Sequence, residues 1–249
     1  MRLAIVSDVH GNLAGLEAVA RDLERIGPDR VVHGGDLALS GPRPAEVIDR
    51  IRELGWPGIV GNVDELLWRA DQLAVLEARA PKLGPLLHLI FESHAPATRE
   101  MLGAERIEWL RSLPPEWRSE GVLLVHASPG DLWRAPAADA SDRELLDAYG
   151  DADADLIAYG HIHRPYVRPV GTELTVANSG SVGMPFDGDP RASYLIVEDG
   201  VASVRRVPYD VERHVAELSA SGYPDAERLA RIAREGRYLP PDPADSGAR

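Results

Sequence analysis

The sequence predicts an α/β fold built on two β-sheets that are flanked by helices. Over roughly the first 60 residues, short apolar runs alternate with stretches that repeat apolar residues at helical spacing. After residue 160, strand-like runs follow one another, and Asp199-Gly200 is a strong hairpin signal between two of them. We therefore expect the second half to form its own, more antiparallel sheet, packed face to face on the first.

The individual elements are read from apolar periodicity and from turn residues. Asn12 can cap the first helix and Gly27-Pro28 can end it, while Pro81, Pro85 and Pro96 divide a long helical block. The predicted strands are 3–6, 30–33, 58–60, 121–125, 156–159, 166–170, 173–177, 192–197 and 201–207. The predicted helices are 13–26, 44–54, several pieces of 64–114, 141–149, 210–221 and 225–236.

Composition restricts the classes of function. The formal net charge of −13 argues against broad binding to nucleic-acid backbone, which needs a basic patch. No run approaches the roughly 18 apolar residues of a membrane span, and the run before Asp8 is too short for a signal-peptide core, so we expect a cytoplasmic protein without membrane attachment. Because the chain has no Cys, any metal must be held by His, Asp, Glu or Asn.

Potential metal ligands follow five of the predicted strands, at the point where each strand ends. They are Asp8, His10, Asp36, Asn62, His126, His161 and His163. In open α/β sheets, ligands gather at the carboxyl ends of the strands, so segments far apart in sequence can meet there. These seven oxygen and nitrogen donors are too many for one tetrahedral ion. They suit two ions that share a carboxylate and hold a bridging water as hydroxide.

These motifs resemble the calcineurin-like metallophosphoesterases. The matching blocks are Asp8-x-His10, Gly35-Asp36, Gly61-Asn62, a His after a strand at His126, and Gly160-His161-x-His163, within roughly residues 3 to 210. The resemblance implies a four-layered αββα sandwich, a first ion on Asp8, His10, Asp36 and His163, and a second on Asp36, Asn62, His126 and His161, with Asp36 as the bridge. The residues closest to catalysis would then be Asp36, Asn62 and His126.

Two departures from the family pattern bear on the substrate. The Arg of the Ser/Thr phosphatase branch is missing after Asp36, and the His that many members place after Asn62 is replaced by Val63, as in some small prokaryotic phosphodiesterase-type members. Losing a general acid costs about 10²–10⁴ in rate for a poor leaving group. We therefore expect weak activity on alkyl monoesters and better activity on activated or nucleotide diesters.

Several other residues have defined expectations. Asn62, Arg164 and Arg43 are the candidates for binding substrate phosphate. Asp64 either caps the next helix or orients His10 through a ring N–H. We expect packing roles for Trp68 and Trp109, either a packed position or a contact behind a metal ligand for His33, and surface or packing roles for His88 and His94.

Taken together, these features predict a dimetal phosphoesterase, most simply a phosphodiesterase acting on a small phosphorylated substrate. The alternatives are a nucleotide or dinucleoside polyphosphate phosphatase of the same fold, and a non-catalytic metal-binding scaffold, which should have lost ligands that this chain keeps. Manganese is the first choice of metal, with iron, zinc, cobalt or nickel as alternatives. We expect a catalytic domain at 1–210 with a helical cap at 64–118, a C-terminal helical extension at 211–238, and a disordered tail at 239–249.

Overall fold

Two mixed β-sheets form the centre of the protein. The structure is a computed structural model that describes residues 1–241. The strands are β1 Arg2–Val6, β2 Arg30–His33, β3 Glu116–Ser119, β4 Val122–Val125, β5 Leu156–Tyr159, β6 Tyr166–Val170, β7 Leu174–Asn178, β8 Ala192–Glu198 and β9 Val201–Val207. One sheet has the order β2-β1-β8-β9 and the other the order β3-β4-β5-β7-β6. Both combine parallel and antiparallel pairs.

The helices flank these sheets. They are α1 Leu13–Ile26, α2 Pro44–Leu54, α3 Asn62–Glu65, α4 Leu73–Arg79, α5 Gly84–Leu89, α6 Ala95–Arg111, α7 Asp142–Tyr149, α8 Val211–Ser221 and α9 Ala226–Glu235. Short 3₁₀ turns at Ala70–Gln72 and Pro81–Leu83 and a π-helical turn at Ile90–His94 divide the region between α3 and α6. Gly103 interrupts α6 with a positive φ of 70°.

The apolar residues separate into layers, as an αββα sandwich requires. In β1, Leu3 and Ile5 contact the facing sheet, whereas Ala4 and Val6 pack with α1 and α2. On the outer face of the other sheet, residues of β4, β5 and β7 pack against Leu145 and Tyr149 of α7. The alternation of side chains along a strand therefore produces three apolar layers, one between the sheets and one on each outer face. The predicted fold class is confirmed.

The predicted division of the strands between the sheets is wrong. The hairpin β8–β9 joins the first sheet, because β8 pairs antiparallel with β1, with Ala4 opposite Ile196. The second sheet is instead built around β4, β5 and β7, which pair in parallel. A hairpin signal predicts which strands are neighbours along the chain, but it carries no information about which sheet edge the hairpin joins.

Two further differences concern short segments. The predicted strand 58–60 is an extended segment with a single parallel bridge between Gly58 and His33. The Ile59 N–H still donates to the His33 carbonyl, but the Val60 N–H turns away to Pro114. Strand β3 was not predicted, because its sequence Glu-Trp-Arg-Ser at a sheet edge is mostly polar and has no apolar run.

Helices α8 and α9 pack on each other and against the loop between β7 and β8. Val215 and Leu218 of α8 and Tyr223 of the connection to α9 are buried in this cluster. Met184 and Phe186 of the loop pack against them. Leu239, the first residue of the predicted tail, contacts the same cluster, and residues 242–249 lie outside the described residues. Among residues 1–241, no helix combines the length and apolar character needed to cross a bilayer.

Candidate metal centre

The ends of strands from both sheets meet at one point, where four of the predicted ligands form a compact group. Asp8 and His10 follow β1, Asp36 follows β2, and His163 follows β5. All four are buried, and one donor atom from each lies within 4.8 Å of the others. The Nε2 atoms of His10 and His163 are 3.1 Å apart, and Asp8 Oδ1 lies 3.2 Å from His163 Nε2.

The other three predicted ligands lie directly beside this group. Asn62 Oδ1 is 2.7 Å from His126 Nε2 and 3.0 Å from His161 Nδ1. The two groups meet at Asp36, whose Oδ2 is 3.3 Å from His126 Nε2 and 3.9 Å from His10 Nε2. The structure therefore brings all of the predicted ligands together, including Asp36 and the segment that carries His161.

Backbone carbonyls orient three of the imidazoles. The Nδ1 atoms of His10, His126 and His163 lie 2.8, 2.8 and 2.6 Å from the carbonyl oxygens of Leu39, Gly34 and Met184 respectively. A carbonyl can only accept, so each Nδ1 carries the proton and donates. In a neutral imidazole this leaves the Nε2 lone pair free, and all three Nε2 atoms point toward the Asp36 carboxylate or its neighbours.

The electrostatics of the group favour a positive charge at its centre. Burial alone would raise the pKa of Asp36, but the adjacent His126 and His10 hold it well below its usual range. Burial alone would lower the pKa of His126, yet the Asp36 carboxylate outweighs it and raises that pKa to about 9. Burial, together with the neighbouring His126, lowers the pKa of His161 to about 4.

The donor set therefore fits a divalent cation. Imidazole nitrogens, carboxylate oxygens and an amide oxygen converge in a buried space. A group so rich in acceptors is unfavourable unless positive charge, from protons or a metal ion, lies among them. Imidazole with carboxylate is also a usual ligand combination for first-row divalent metals. The outer hydrogen bonds from Nδ1 to carbonyls are those that ligating histidines generally make.

The backbone around the site adopts an unusual conformation that the sequence did not reveal. Asp8, His10, Asp36, His161 and His163 all have positive φ, between 49° and 64°. This left-handed region is uncommon for residues other than glycine, and it turns each side chain inward directly after its strand. Backbone hydrogen bonds hold these turns, among them Asp8 N–H to Gly35 O and His10 N–H to Asp36 O, both at 3.0 Å.

Two glycines allow the chain to pass close to the carboxylates. A Cβ added at Gly61 would overlap Asp36, and one added at Gly160 would overlap Asp8 and Ser7 Oγ. Both glycines directly precede a predicted ligand. In a sequence, Gly followed by a ligand at the end of a buried strand is a signal of such close approach.

Asp64 has the capping role rather than the one directed at His10. Its Oδ1 accepts from the Leu37 N–H at 3.0 Å, and its Oδ2 accepts from the Gly61 N–H at the start of α3 at 3.3 Å. The ring N–H of His10 is instead bound by Leu39. Burial, with the nearby Asp36 carboxylate, raises the pKa of Asp64 to about 7.

The remaining predicted residues have the following surroundings. Arg43 lies 2.9 Å from Glu46 and 3.7 Å from Glu217, and Arg164 is exposed beside His163. The role of either in binding substrate stays a prediction. His33 is buried with neither ring nitrogen bonded, and its ring is 6.1 Å from that of Trp109. Its packing role is confirmed, as are those of the partly buried Trp68 and Trp109.

Sequence similarity relates the chain to a known superfamily. A sequence model described as the calcineurin-like phosphoesterase superfamily domain matches residues 1–199. The chain belongs to this superfamily. It is 28% identical to the phosphodiesterase YfcE of Escherichia coli, over 82% of this chain and 91% of that protein. It is also 29% identical to the uncharacterized protein MJ0912 of Methanocaldococcus jannaschii, over 91% of this chain and 96% of that protein.

A solved structure supports the same assignment. The crystal structure of a metallophosphoesterase from Sphaerobacter thermophilus matches with a TM-score of 0.76 and 29% identity, over 95% of this chain and 99% of that chain. Membership in the superfamily identifies the protein as a phosphoester hydrolase. The buried group of Asp8, His10, Asp36 and His163 indicates that it binds a divalent metal. The match to the superfamily model ends before α8 and α9 begin.

Proposed function

We propose that the protein is a dimetal phosphodiesterase. The observation that carries this proposal is the position of Asp36, whose Oδ2 lies 3.3 Å from His126 Nε2 in one group of donors and 3.9 Å from His10 Nε2 in the other. One carboxylate placed between two groups of donors is the arrangement that a shared ligand requires. The E. coli relative that is named a phosphodiesterase supports the choice of reaction.

In this proposal Asp8, His10, Asp36 and His163 hold the first ion, and Asp36, Asn62, His126 and His161 hold the second. Divalent ions at such a site supply Lewis-acid activation of water and of the phosphate oxygens. The chain has no cysteine that could serve as a nucleophile. Its own part is to fix the donors, through carbonyls that orient the imidazoles and through the Val63 N–H, which donates to Asp36 Oδ1 at 3.0 Å.

The substrate preference follows from Val63. An apolar side chain stands where many relatives have a His, so this position offers no proton to the leaving group. The rate then depends strongly on how stable the leaving group is by itself. We expect aryl and nucleotide diesters to be better substrates than alkyl monoesters, and Arg164 at the exposed edge to contact a phosphate oxygen.

The direct test is hydrolysis of bis-p-nitrophenyl phosphate by metal-free and by Mn²⁺-loaded protein. The metal-free protein should be inactive and should regain turnover with Mn²⁺. Asp36→Asn should abolish turnover, whereas Asp147→Asn, at an exposed carboxylate in α7, should behave as the wild type. The proposal fails if folded, Mn²⁺-loaded protein hydrolyses no aryl phosphate between neutral and alkaline pH.

A substrate panel separates this proposal from the alternatives. Cyclic nucleotides, dinucleoside polyphosphates and monoesters are assayed side by side with Mn²⁺. A preference for dinucleoside polyphosphates or for nucleotide monoesters would favour a nucleotide phosphatase on the same centre. Metal binding without turnover of any substrate would favour the scaffold.

A further inference from the structure

The C-terminal helices contact a loop that supports the candidate metal centre. This loop, Leu37–Arg43, follows the proposed bridging ligand Asp36 and contains Leu39, whose carbonyl accepts from the Nδ1–H of His10 at 2.8 Å. The loop is also bonded to the segment after His10, through Gly11 N–H to Leu37 O at 2.8 Å and Arg43 N–H to Gly11 O at 3.1 Å. The position of the Leu39 carbonyl therefore determines which ring nitrogen of His10 faces the other ligands.

The residue after Leu39 is held in a conformation that needs support. Ser40 has a φ of 71°, in the left-handed region that residues other than glycine rarely adopt. Such a conformation is strained and persists only where its surroundings fix it. Because Ser40 and Leu39 share a peptide bond, what fixes Ser40 also fixes the direction of the Leu39 carbonyl.

Tyr223, which lies between α8 and α9, provides that support. Its hydroxyl accepts from the Ser40 N–H at 2.9 Å, lies 2.8 Å from Thr98 Oγ1 and donates to the His94 carbonyl at 3.3 Å. A second contact joins Ser40 Oγ to His94 Nδ1 at 3.0 Å. Tyr223 is 4% exposed, and His94 and Thr98 are fully buried, so water does not replace these bonds.

The network continues into α9. His94 Nε2 lies 3.7 Å from Asp225 Oδ2, and Asp225 is in turn bound by Arg228. Burial raises the pKa of Tyr223 to about 12, so its hydroxyl keeps its proton at neutral pH and can donate and accept at once. The loop thus has fixed partners in the π-helical turn Ile90–His94 and in the connection between α8 and α9.

We propose that Tyr223 is a positioning residue for the metal centre: through Ser40 and the Leu39 carbonyl it holds the His10 imidazole in its ligating orientation. This inference rests on the proposed metal centre and extends it to the C-terminal helices, which lie beyond the match to the superfamily model. Removing the hydroxyl leaves the half-buried Ser40 N–H without its acceptor, and the loop relaxes toward ordinary φ. His10 then loses its fixed orientation.

The test is the affinity of the full-length, metal-free protein for Mn²⁺, measured by calorimetry in wild type and in Tyr223→Phe. Tyr223→Phe should bind about tenfold more weakly, the lower end of the effect of removing a group that orients a ligand. The visible absorption spectrum of the Co²⁺-loaded protein should also change, because it reports the ligand geometry directly.

The matched control is Tyr194→Phe. Tyr194 is fully buried, and its hydroxyl donates to Asp22 of α1 at 2.7 Å rather than to the loop. This variant also loses the hydrogen bond of a buried hydroxyl, so its stability should fall. Its Mn²⁺ affinity and its Co²⁺ spectrum should stay those of the wild type. A loss of affinity as large as that in Tyr223→Phe would overturn the inference, because the effect would then be general destabilisation.

A second variant decides the question if Tyr223→Phe does not fold. Ser40→Ala keeps Tyr223 and removes only the hydroxyl that contacts His94, and it should weaken Mn²⁺ binding in the same direction by a smaller factor. Wild-type affinity and spectrum in every folded variant of this pair would overturn the inference while leaving the metal centre intact. Failure of the wild type itself to bind Mn²⁺ would overturn the proposed function, and the inference with it.

Discussion

At the scale of single residues, the site depends on backbone conformation as much as on ligand identity. Five of the seven proposed ligands, Asp8, His10, Asp36, His161 and His163, have positive φ. Strain of this kind collects at functional sites, where the surrounding structure outweighs its cost. The sequence pointed to these residues as candidate ligands, because each follows a predicted strand. Their strained turns were not predicted, because Asp and His adopt the left-handed backbone more often than most residues but still rarely, so their presence does not signal it.

Gly160 tests the need for close approach at the site. Gly160→Ala places a methyl group against the Asp8 carboxylate and Ser7 Oγ, both fully buried, so neither can move aside without cost. We expect a loss of stability of about 1–3 kcal/mol from overpacking and a loss of Mn²⁺ binding. Thermal unfolding and calorimetry measure the two effects.

The matched control for Gly160 is Gly84→Ala. A Cβ there would meet only the flexible end of Glu77, at 3.3 Å. This variant should unfold and bind Mn²⁺ as the wild type does. Equal behaviour of Gly160→Ala and Gly84→Ala would show that the tight approach to Asp8 has no consequence.

His33 predicts how the metal-free protein responds to acid. Burial lowers its pKa to about 3, against about 6.5 in the unfolded chain. Below pH 6.5 the unfolded state binds a proton that the folded state does not, so stability is complete above that pH and falls as the pH drops toward 3. His33→Leu removes the group that takes up this proton, together with two buried nitrogens that have no hydrogen-bond partner.

The free energy of unfolding is measured in urea with EDTA present. On lowering the pH from 7 to 5, it should fall by about 2 kcal/mol more in the wild type than in His33→Leu. Other buried histidines, such as His214, titrate in both proteins and cancel in the difference. Parallel pH profiles for the two proteins would contradict the prediction.

At the scale of elements, local signals predicted most helices and strands well. Asn12 caps α1 through a bond from the Gly15 N–H, and Gly27 ends that helix with a left-handed φ, as expected. What failed had no local signal. The edge strand β3 is mostly polar, and the placement of β8 beside β1 depends on contacts nearly 200 residues apart in sequence. The link between Ser40 and Tyr223 was equally unpredictable, since a buried tyrosine does not reveal its partner.

Helix α7 gives an element-scale prediction. Ser141 accepts from the Glu144 N–H at 3.3 Å, and Glu144 accepts from the Ser141 N–H at 2.8 Å, which together form a capping box. Ser141→Ala removes the Ser141 side-chain half of it. Loss of such a cap costs about 1 kcal/mol. For a protein of this size, the melting temperature should fall by about 2–4 °C.

Ser219→Ala in α8 serves as the comparison. The Ser219 hydroxyl only donates a hydrogen bond to the Val215 carbonyl within the same helix, at 3.0 Å. Alanine is the better helix former. Its melting temperature should stay level or rise slightly. If the melting temperature of Ser219→Ala fell as much as that of Ser141→Ala, the capping box would not specifically stabilise α7.

At the scale of the whole molecule, the candidate centre joins the two sheets. Asp8, His10 and Asp36 extend from β1 and β2 of one sheet, whereas His126, His161 and His163 extend from β4 and β5 of the other. The sequence predicted the convergence of these residues but assigned the strands to the wrong sheets. The ligand pattern was robust to that error because both sheets place the ends of these strands at the same point.

This placement predicts that metal binding stabilises the entire fold. A ligand that binds only the folded state adds about 2.7 kcal/mol at a free concentration 100 times its dissociation constant. For a chain of this length that corresponds to a rise of about 5–10 °C in melting temperature. Calorimetric scans in EDTA and in excess Mn²⁺ should therefore differ by this amount in the wild type. Asp36→Asn, which lacks the shared carboxylate, should melt at nearly the same temperature in both. If the wild type also melts at one temperature with and without Mn²⁺, the two sheets are held together by their apolar layer alone and the proposed centre binds no metal tightly.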